Sequence, residues 1–427
     1  MAAVSKQVVI IGAGPAGLAA AVAAYDGGAT DIVILERDVC AGGILEQCIH
    51  NGFGLHTFGA ELSGPEYAAR FFEQTNARGI RCEFGATALS VGADRTVRAV
   101  SERGVTEYKA GAVVLACGCR ERPRGAVNIA GTRPSGVFSA GTAQRLVNVD
   151  GEQIGRDVFI LGSGDIGLIM ARRMVFEGAR VHGVAEIMPY SSGLSRNIAQ
   201  CLDDFGIPLM LSTTVVEIRG RERLSSVVIA NVDERLAPIP STAREIKCDT
   251  LLLSVGLLPE NELAKSCGVA LDRATGGGTV NDRFMTDVDG VFMCGNCLHV
   301  HDLVDYVSAE SAACGRAAAR YVLGGGNKDG GKLGGADITT SGGIRYCVPQ
   351  RVERNGGGRL TLRMRVDGVY RKCRIAVVAD GKELYVKPRP IVTPGEMETL
   401  ELDEAKSAAL RAAERVEIKL IRSEAAR

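Results

Sequence analysis

The sequence predicts an α/β fold in which one strand–helix–strand unit occurs twice, followed by a smaller β-rich domain. Three observations carry this expectation. A glycine-rich turn between an apolar run and a helix-prone stretch appears at two places in the same register. Glycine is abundant (54) while aromatic residues are scarce, with 11 Phe, 9 Tyr and no Trp in 427 residues, so the chain spends its residues on turns and close backbone approaches. Beyond residue 343 the pattern changes to short alternating runs broken by turn residues.

At roughly 100 to 200 residues per domain, the length predicts two to four domains. Lys plus Arg equals Asp plus Glu at 50 each, which removes the electrostatic case for a nucleic-acid or anionic-membrane partner; small molecules and proteins are the expected partners. The 13 cysteines are odd in number and irregularly spaced, so a secreted disulfide framework is not expected and a reducing cytoplasm is.

The first unit runs from a β-branched strand at Gln7 through Gly12-x-Gly14-x-x-Gly17 into an Ala-rich helix, then to a strand at Ile32–Leu35 ending in Glu36. The nearly uncharged run from Val8 to Tyr25 resembles a signal-peptide core or a short span, but glycines at fixed offsets and Pro15 have no use on a lipid-facing helix. No integral membrane segment is therefore expected. The second unit repeats the order: a strand at 158–161, Gly162-x-Gly164-x-x-Gly167, a helix, and a strand from Arg180 ending at Glu186. Glu36 follows Gly12 by 24 residues, and Glu186 follows Gly162 by the same 24.

Such a turn leaves bare N–H groups and a helix N-terminus where a pyrophosphate can approach, and an acid ending the second strand can accept both ribose hydroxyls. The first unit is thus expected to bind a dinucleotide; the second is expected to bind a nicotinamide or other adenine nucleotide, the alternative being an inherited fold that has lost its ligand. The acid at Glu186 would repel a 2′-phosphate, favouring NAD(H), although Arg180 and His182 are close enough in sequence to blunt that preference. Ala112–Gly118 and Thr250–Gly256, each an apolar strand entering a small-residue turn, are read as the closing strands of the two units.

The Gly-rich segment 326–343 reads as a linker, and 344–427 as a β-sandwich-like domain with strands at 344–349, 359–366, 374–379 and 383–387, turns at 356–358 and 380–381, and a helix within 402–415.

Further motifs carry a family resemblance. Val113 to Gly118, Leu253 to Asn261 and Thr286 to Asn296 are similar to the connecting segments of flavoprotein pyridine nucleotide-disulfide oxidoreductases. Gly42 to Leu55, Arg120 to Pro123 and Val300 to Asp305 resemble the flavoprotein subunits of multi-component dehydrogenases: opine oxidase, hydrogen cyanide synthase, multi-subunit proline dehydrogenase, and the FAD-dependent oxidoreductase accompanying bacterial glycerol-3-phosphate dehydrogenase. The resemblance implies two Rossmann-like domains, the second inserted in the first. Residues 1–118 and 258–325 would form the FAD domain and 119–257 the NAD-type domain. It also implies an FAD-dependent oxidoreductase passing electrons between FAD and NAD(H) or a partner dehydrogenase. The expected partners are a second dehydrogenase flavoprotein subunit or a small electron-transfer subunit, with a small-molecule substrate of the glycerol 3-phosphate or amino/imino acid type.

The residues expected to hold FAD are Gly12, Gly14, Pro15, Ala16, Gly17, Glu36, Arg37, Gly43, Ala116, Gly118, Gly295 and Asn296, with His301 and Asp302 at the start of a helix. Gly162, Gly164, Asp165, Ile166, Gly167, Glu186 and Gly256 are assigned to the second nucleotide. Asn296 departs from the family, which has Asp contacting the flavin ribityl chain; an amide still bonds a hydroxyl, with altered electrostatics. Cys48 and His50, near Asn51 and His56, are the candidate catalytic pair, because a His shuttles protons near neutral pH.

Other readings compete. Cys294-x-x-Cys297 has the spacing of a redox pair and would suit a disulfide reductase. It lies on the expected FAD segment, whereas thioredoxin reductases place their pair where this chain has Ser139 to Thr142. The C-x4-C of glutathione reductase-like enzymes is missing too, since seven residues separate Cys40 from Cys48. His299 and His301 are not assigned a metal, and Cys347 and Cys373 are too few for an iron–sulfur cluster in the tail. A non-catalytic nucleotide-binding subunit is the rival of another class.

Overall fold

The computed structural model describes residues 3–325 and 335–422. The chain divides into two compact units, Met1–Cys119 with Pro259–Arg427, and Arg120–Leu258.

The first unit is built on a sheet in which Arg81–Glu83, Ile32–Leu35, Val4–Ile11 and Gly104–Leu115 lie parallel in that order. Val291–Met293 joins the C-terminal end of Gly104–Leu115 in parallel, while Thr96–Ser101 pairs antiparallel with its N-terminal part. Sheets of this kind are covered on both faces, and their strands read as continuous apolar runs, as in Ile32–Leu35. The helix Pro15–Asp26 is buried throughout from Ala16 to Ala24. Its lack of charge, which imitates a signal-peptide core, follows from being enclosed on all sides. The helix Val304–Leu323 covers it so closely that a Cβ at Gly315 would lie 2.1 Å from the Ala20 carbonyl oxygen.

The second unit repeats the arrangement. Asp157–Leu161 is flanked in parallel by Thr250–Leu253 and Arg180–Ala185, with Val137–Ser139 and Leu209–Met210 outside them. A separate antiparallel sheet of Thr213–Gly220, Leu224–Asn231 and Arg244–Lys247 accompanies it.

The C-terminal segment belongs to the first unit. It forms two sheets, one containing Gly335–Ser341, Tyr370–Ala379, Lys382–Val392 and Val416–Arg422, the other Ile344–Val348, Leu360–Val366 and Glu398–Leu402. Their shared core includes Leu362, Ile375, Leu400 and Ile418. The helix Glu404–Ala412 is N-capped by Asp403. One expectation is corrected: Gly335–Ser341 is a strand paired with Val416–Arg422, although the sequence reads it as linker. Its composition misleads because Gly, Asp, Thr and Ser surround the two apolar residues, Ala336 and Ile338, that it packs into the C-terminal core, and ladder pairing supplies the rest. The rest of the expected linker, 326–334, lies outside the described residues.

Charged groups join this segment to the rest of the unit. Arg365 pairs with Asp302, which also accepts the Met397 N–H at 2.6 Å; Arg411 pairs with Asp282 at 2.7 Å; and Arg363 reaches Glu310 Oε2 at 3.4 Å. His299 Nε2 and His301 Nε2 lie 2.8 and 3.2 Å from the same Glu310 oxygen, all three side chains being fully enclosed. A carboxylate only accepts, so the His299 ring presents its Nε2–H to it, whereas His301 Nε2 lies beside the same oxygen without a hydrogen bond. Burial holds His299 neutral, lowering its pKa from 6.5 to about 4 against the pull of Glu310.

Two outcomes follow. Gly315→Ala should lower the melting temperature despite its better helix propensity, because an overpacking cost of about 1–3 kcal/mol exceeds the ~1 kcal/mol propensity gain. An unchanged melting curve would contradict the close approach. A histidine whose folded pKa lies below its unfolded value contributes stability that is complete above pH 6.5 and is lost as pH falls towards 4, here about 3 kcal/mol. Urea midpoints between pH 7 and 4 should therefore fall less steeply for His299→Gln, which keeps a donor to Glu310 but does not titrate. Equal slopes would contradict the neutral histidine.

Candidate functional site: two glycine turns and a buried acid network

In the first unit the chain leaves Val4–Ile11 through Gly12 at φ +106°, where a Cβ would lie 2.5 Å from the Ala116 carbonyl oxygen. A Cβ at Gly17 would meet the Gly12 carbonyl oxygen at 1.8 Å. Both positions exclude side chains on steric grounds. Gly14 differs, since a Cβ there meets nothing within 4 Å. It marks open space beside the N-terminus of the helix, with Pro15 at the first helical position. A Cβ at Gly43 would lie 3.2 Å from the Gly14 Cα, and one at Gly295 would lie 2.7 Å from the Ala16 Cβ, whereas Gly118 at φ +72° faces open space.

Glu36 is buried, with Oε2 accepting the Ala13 N–H at 2.6 Å and Oε1 the Asp38 N–H at 2.8 Å. Lone pairs remain on both oxygens for ribose hydroxyls. Arg37, next to it, is exposed. The structure thus brings Gly12, Gly14, Ala16, Gly43, Ala116 and Gly295 together around one turn.

The second unit has the same construction. Gly162 has φ +96°, with a Cβ there 2.0 Å from the Ser254 carbonyl oxygen. Glu186 accepts the Ser163 N–H at 3.0 Å and the Met188 N–H at 3.0 Å, the counterparts of Ala13 and Asp38. Ser163 Oγ adds a 2.6 Å bond that Ala13 cannot make. This turn is also more occupied by its own chain. Ser254 Oγ accepts from the Gly167 N–H, and the 191–194 loop is pinned by Leu194 N–H and Asn197 Nδ2 to Asp165. Asp165 is therefore engaged as a loop anchor. Ile166 is half-buried and Gly256 has φ +105°. His182 pairs with Asp157 at 2.9 Å, and with Arg180 it sits at the start of the strand whose other end carries Glu186. Neither side chain reaches the acid, since five residues of strand separate Arg180 from Ala185 by about 16 Å.

The remaining expected residues are placed as follows. Asn296 Oδ1 accepts the His301 N–H at 3.1 Å and faces His301 Nδ1 at 3.4 Å, while Nδ2 points to Cys119 Sγ at 3.7 Å. His301 is thus turned inward, between Asn296 and Glu310. Asp302 is taken by Arg365 and the Met397 N–H, a domain tie rather than a group open to a cofactor. Glu310, absent from the expected set, holds the Gly295 N–H at 3.1 Å through Oε1. Burial opposes its charge, and the His299 and His301 rings override that, holding the carboxyl well below the usual range.

His299, His301 and Glu310 place ligand atoms within 4.8 Å of one another. The Arg363 guanidinium already balances this carboxylate, so a dication added here would leave buried positive charge in excess.

The cysteines are all free. Cys48 Sγ donates to the Ile44 carbonyl at 3.2 Å, and burial pushes its thiol up to about 12. Burial thus keeps Cys48 a protonated thiol at neutral pH. The His50 ring packs against Phe53 at 5.0 Å. The loop they begin is tied down by Asp305, which accepts the Gly54 and Thr57 N–H groups, and His56 stacks on Tyr306. Cys294 and Cys297 are fully buried, and Cys297 Sγ donates to the Leu115 carbonyl at 3.2 Å; burial raises its thiol well above the ordinary value. Ser139 caps the helix Ala140–Asn148, with no cysteine in that turn. Among the described residues, no helix is long and apolar enough to cross a membrane.

Comparison with known proteins agrees with this construction. The chain is 26% identical over 286 residues to hydrogen cyanide synthase subunit HcnB of Pseudomonas protegens, a match covering 62% of this chain and 59% of that protein. It thus spans less than two thirds of that relative. It is 25% identical over 322 residues to thioredoxin reductase of Treponema pallidum, covering 74% of this chain and 97% of that one. Among solved structures, T. acidophilum thioredoxin reductase matches with a TM-score of 0.62 at 22% identity, over 75% of this chain and 99% of that chain; this likeness concerns the fold. The pyridine nucleotide-disulphide oxidoreductase family model matches residues 6–318, well over half the sequence. On that match, and with both glycine turns and both buried acids in place, the chain belongs to the pyridine nucleotide-disulphide oxidoreductase family.

Proposed function

We infer that the protein is an FAD-dependent oxidoreductase that exchanges a hydride between FAD and NAD(H), working as the flavoprotein subunit of a multi-component dehydrogenase. Members of its family bind FAD and NAD(P)H. The observation that carries the reading is the duplicated turn. In both units a buried glutamate holds the N–H that follows the first glycine, leaving the second glycine beside a helix N-terminus.

FAD fits the first turn, where Gly14 leaves space that a Cβ would fill and Glu36 keeps lone pairs for a ribose. Gly12, Gly14 and Pro15 to Gly17 would hold its pyrophosphate, and Asn296 its ribityl chain. When bound, FAD supplies the two-electron chemistry. The chain's own work is to bind and orient. Asn296 spends its carbonyl on His301, so the amide offers N–H donors where a carboxylate would only accept. Glu186 supports NAD(H) over its 2′-phosphorylated form, with no cation of the same strand close enough to offset it.

Assembly with a partner dehydrogenase subunit is supported by the likeness to a protein named as a synthase subunit. A glycerol 3-phosphate or amino/imino acid substrate belongs to this proposal. A disulfide reductase using Cys294 and Cys297 is not favoured, because both thiols are enclosed and a substrate disulfide must reach the attacking sulfur.

The purified chain should be yellow, and its flavin absorbance near 450 nm should bleach on anaerobic addition of NADH, about 450 nm being the ordinary oxidised flavin band. Colour without bleaching would overturn the NAD-linked part, and a colourless protein that takes up no FAD would overturn the whole. The double replacement Cys294→Ser, Cys297→Ser should leave NADH oxidation with an artificial acceptor within about twofold of wild type. Loss of that turnover in a folded, flavin-loaded variant would restore the dithiol reading.

A further inference from the structure

Arg363 and Arg365 lie two apart on the strand Leu360–Val366 and therefore point to the same face, away from the core residues Leu360, Leu362, Met364 and Val366. Each reaches an acid of the segment that follows Gly295 and Asn296: Arg365 takes Asp302, and Arg363 takes Glu310. From Glu310 the contacts run back to the glycine turn. Oε1 holds the Gly295 N–H, and Oε2 packs at 3.2 Å against the ring of His301, whose main-chain N–H donates to the Asn296 amide oxygen. Gly295, at φ +70°, in turn packs on Ala16 at the start of the first helix.

Docking alone does not require this arrangement. An exposed pair would join the segments without enclosing a carboxylate, whereas Glu310 is fully enclosed and one of its two oxygens is committed to the Gly295 N–H.

We propose that the C-terminal β domain is part of the cofactor site, with Arg363 a positioning residue that holds Gly295 and Asn296 in place through Glu310. This rests on the reading that Gly295 and Asn296 hold FAD. A glutamate deprived of Arg363 loses the cation that balances it and, with it, the charge that strengthens its bond to Gly295.

The test uses full-length protein, with two readouts: the FAD dissociation constant, from fluorescence titration of the apoprotein, and the melting temperature. Arg363→Met and Glu310→Gln should each weaken FAD binding about tenfold, the loss of one charge-assisted hydrogen bond, and should lower the melting temperature. The double variant has no unpaired buried charge. It should regain most of the melting temperature yet keep FAD about tenfold weaker. An FAD constant in the double variant within roughly twofold of wild type would show that the pair serves stability alone and would overturn the proposal. If a single variant is too unstable to purify, the double variant decides by itself. Wild-type protein that binds no FAD would instead overturn the reading beneath the proposal.

Discussion

A carboxylate taken out of water must be met by donors, and three glutamates of this chain meet that demand in the same way. Glu36, Glu186 and Glu310 are all buried, and each accepts a main-chain N–H at or next to a glycine with positive φ: Ala13 after Gly12, Ser163 after Gly162, and Gly295 itself. An isolated buried charge costs several kcal/mol, so these bonds are not optional once the acids are enclosed. They fix the turns, and the turns decide where a ligand can lie. The sheets bring the strand ends together, but the three acids set the backbone there.

This explains which parts of the molecule are legible in the sequence. Glu36 and Glu186 declare themselves because a turn, a helix and a strand of regular rise put the acid at a fixed offset from the first glycine. Glu310 has no such offset. It sits inside a helix, where a glutamate reads by default as solvated; Gly295, His299 and His301 precede it closely but with no regular spacing, and Arg363 comes from the C-terminal segment. Arg363 and Arg365 are hidden for a related reason. Alternation along Leu360–Val366 identifies which face is apolar, but it does not distinguish an outer face in water from one laid against another domain. Asp302 reads as a cofactor group for lack of the same knowledge, since its partner is 63 residues away.

The cysteines illustrate the complementary limit. A C-x-x-C spacing records separation along the chain and nothing about access. Cys294 and Cys297 fall where Val291–Met293 enters the core, so they behave as small apolar residues, and the Cys297 thiol donates to the Leu115 carbonyl. Cys48 is similar, although its loop looks the more reactive. In this chain Ser139 caps a helix and Asn296 presents a neutral amide to Cys119 and His301.

The two glycine turns are alike in backbone but unequal in how fully they are occupied. On the side a Gly14 Cβ would take, no protein atom lies within 4 Å, so a pyrophosphate arriving there displaces only water. At the second turn Ser254, Ser163 and Asp165 already bond to the loop and helix that a ligand would use, so each new contact is partly an exchange for an old one. A molecule held at the first would stay through many turnovers as a prosthetic group. One held at the second would leave readily, which is the behaviour of a diffusible co-substrate.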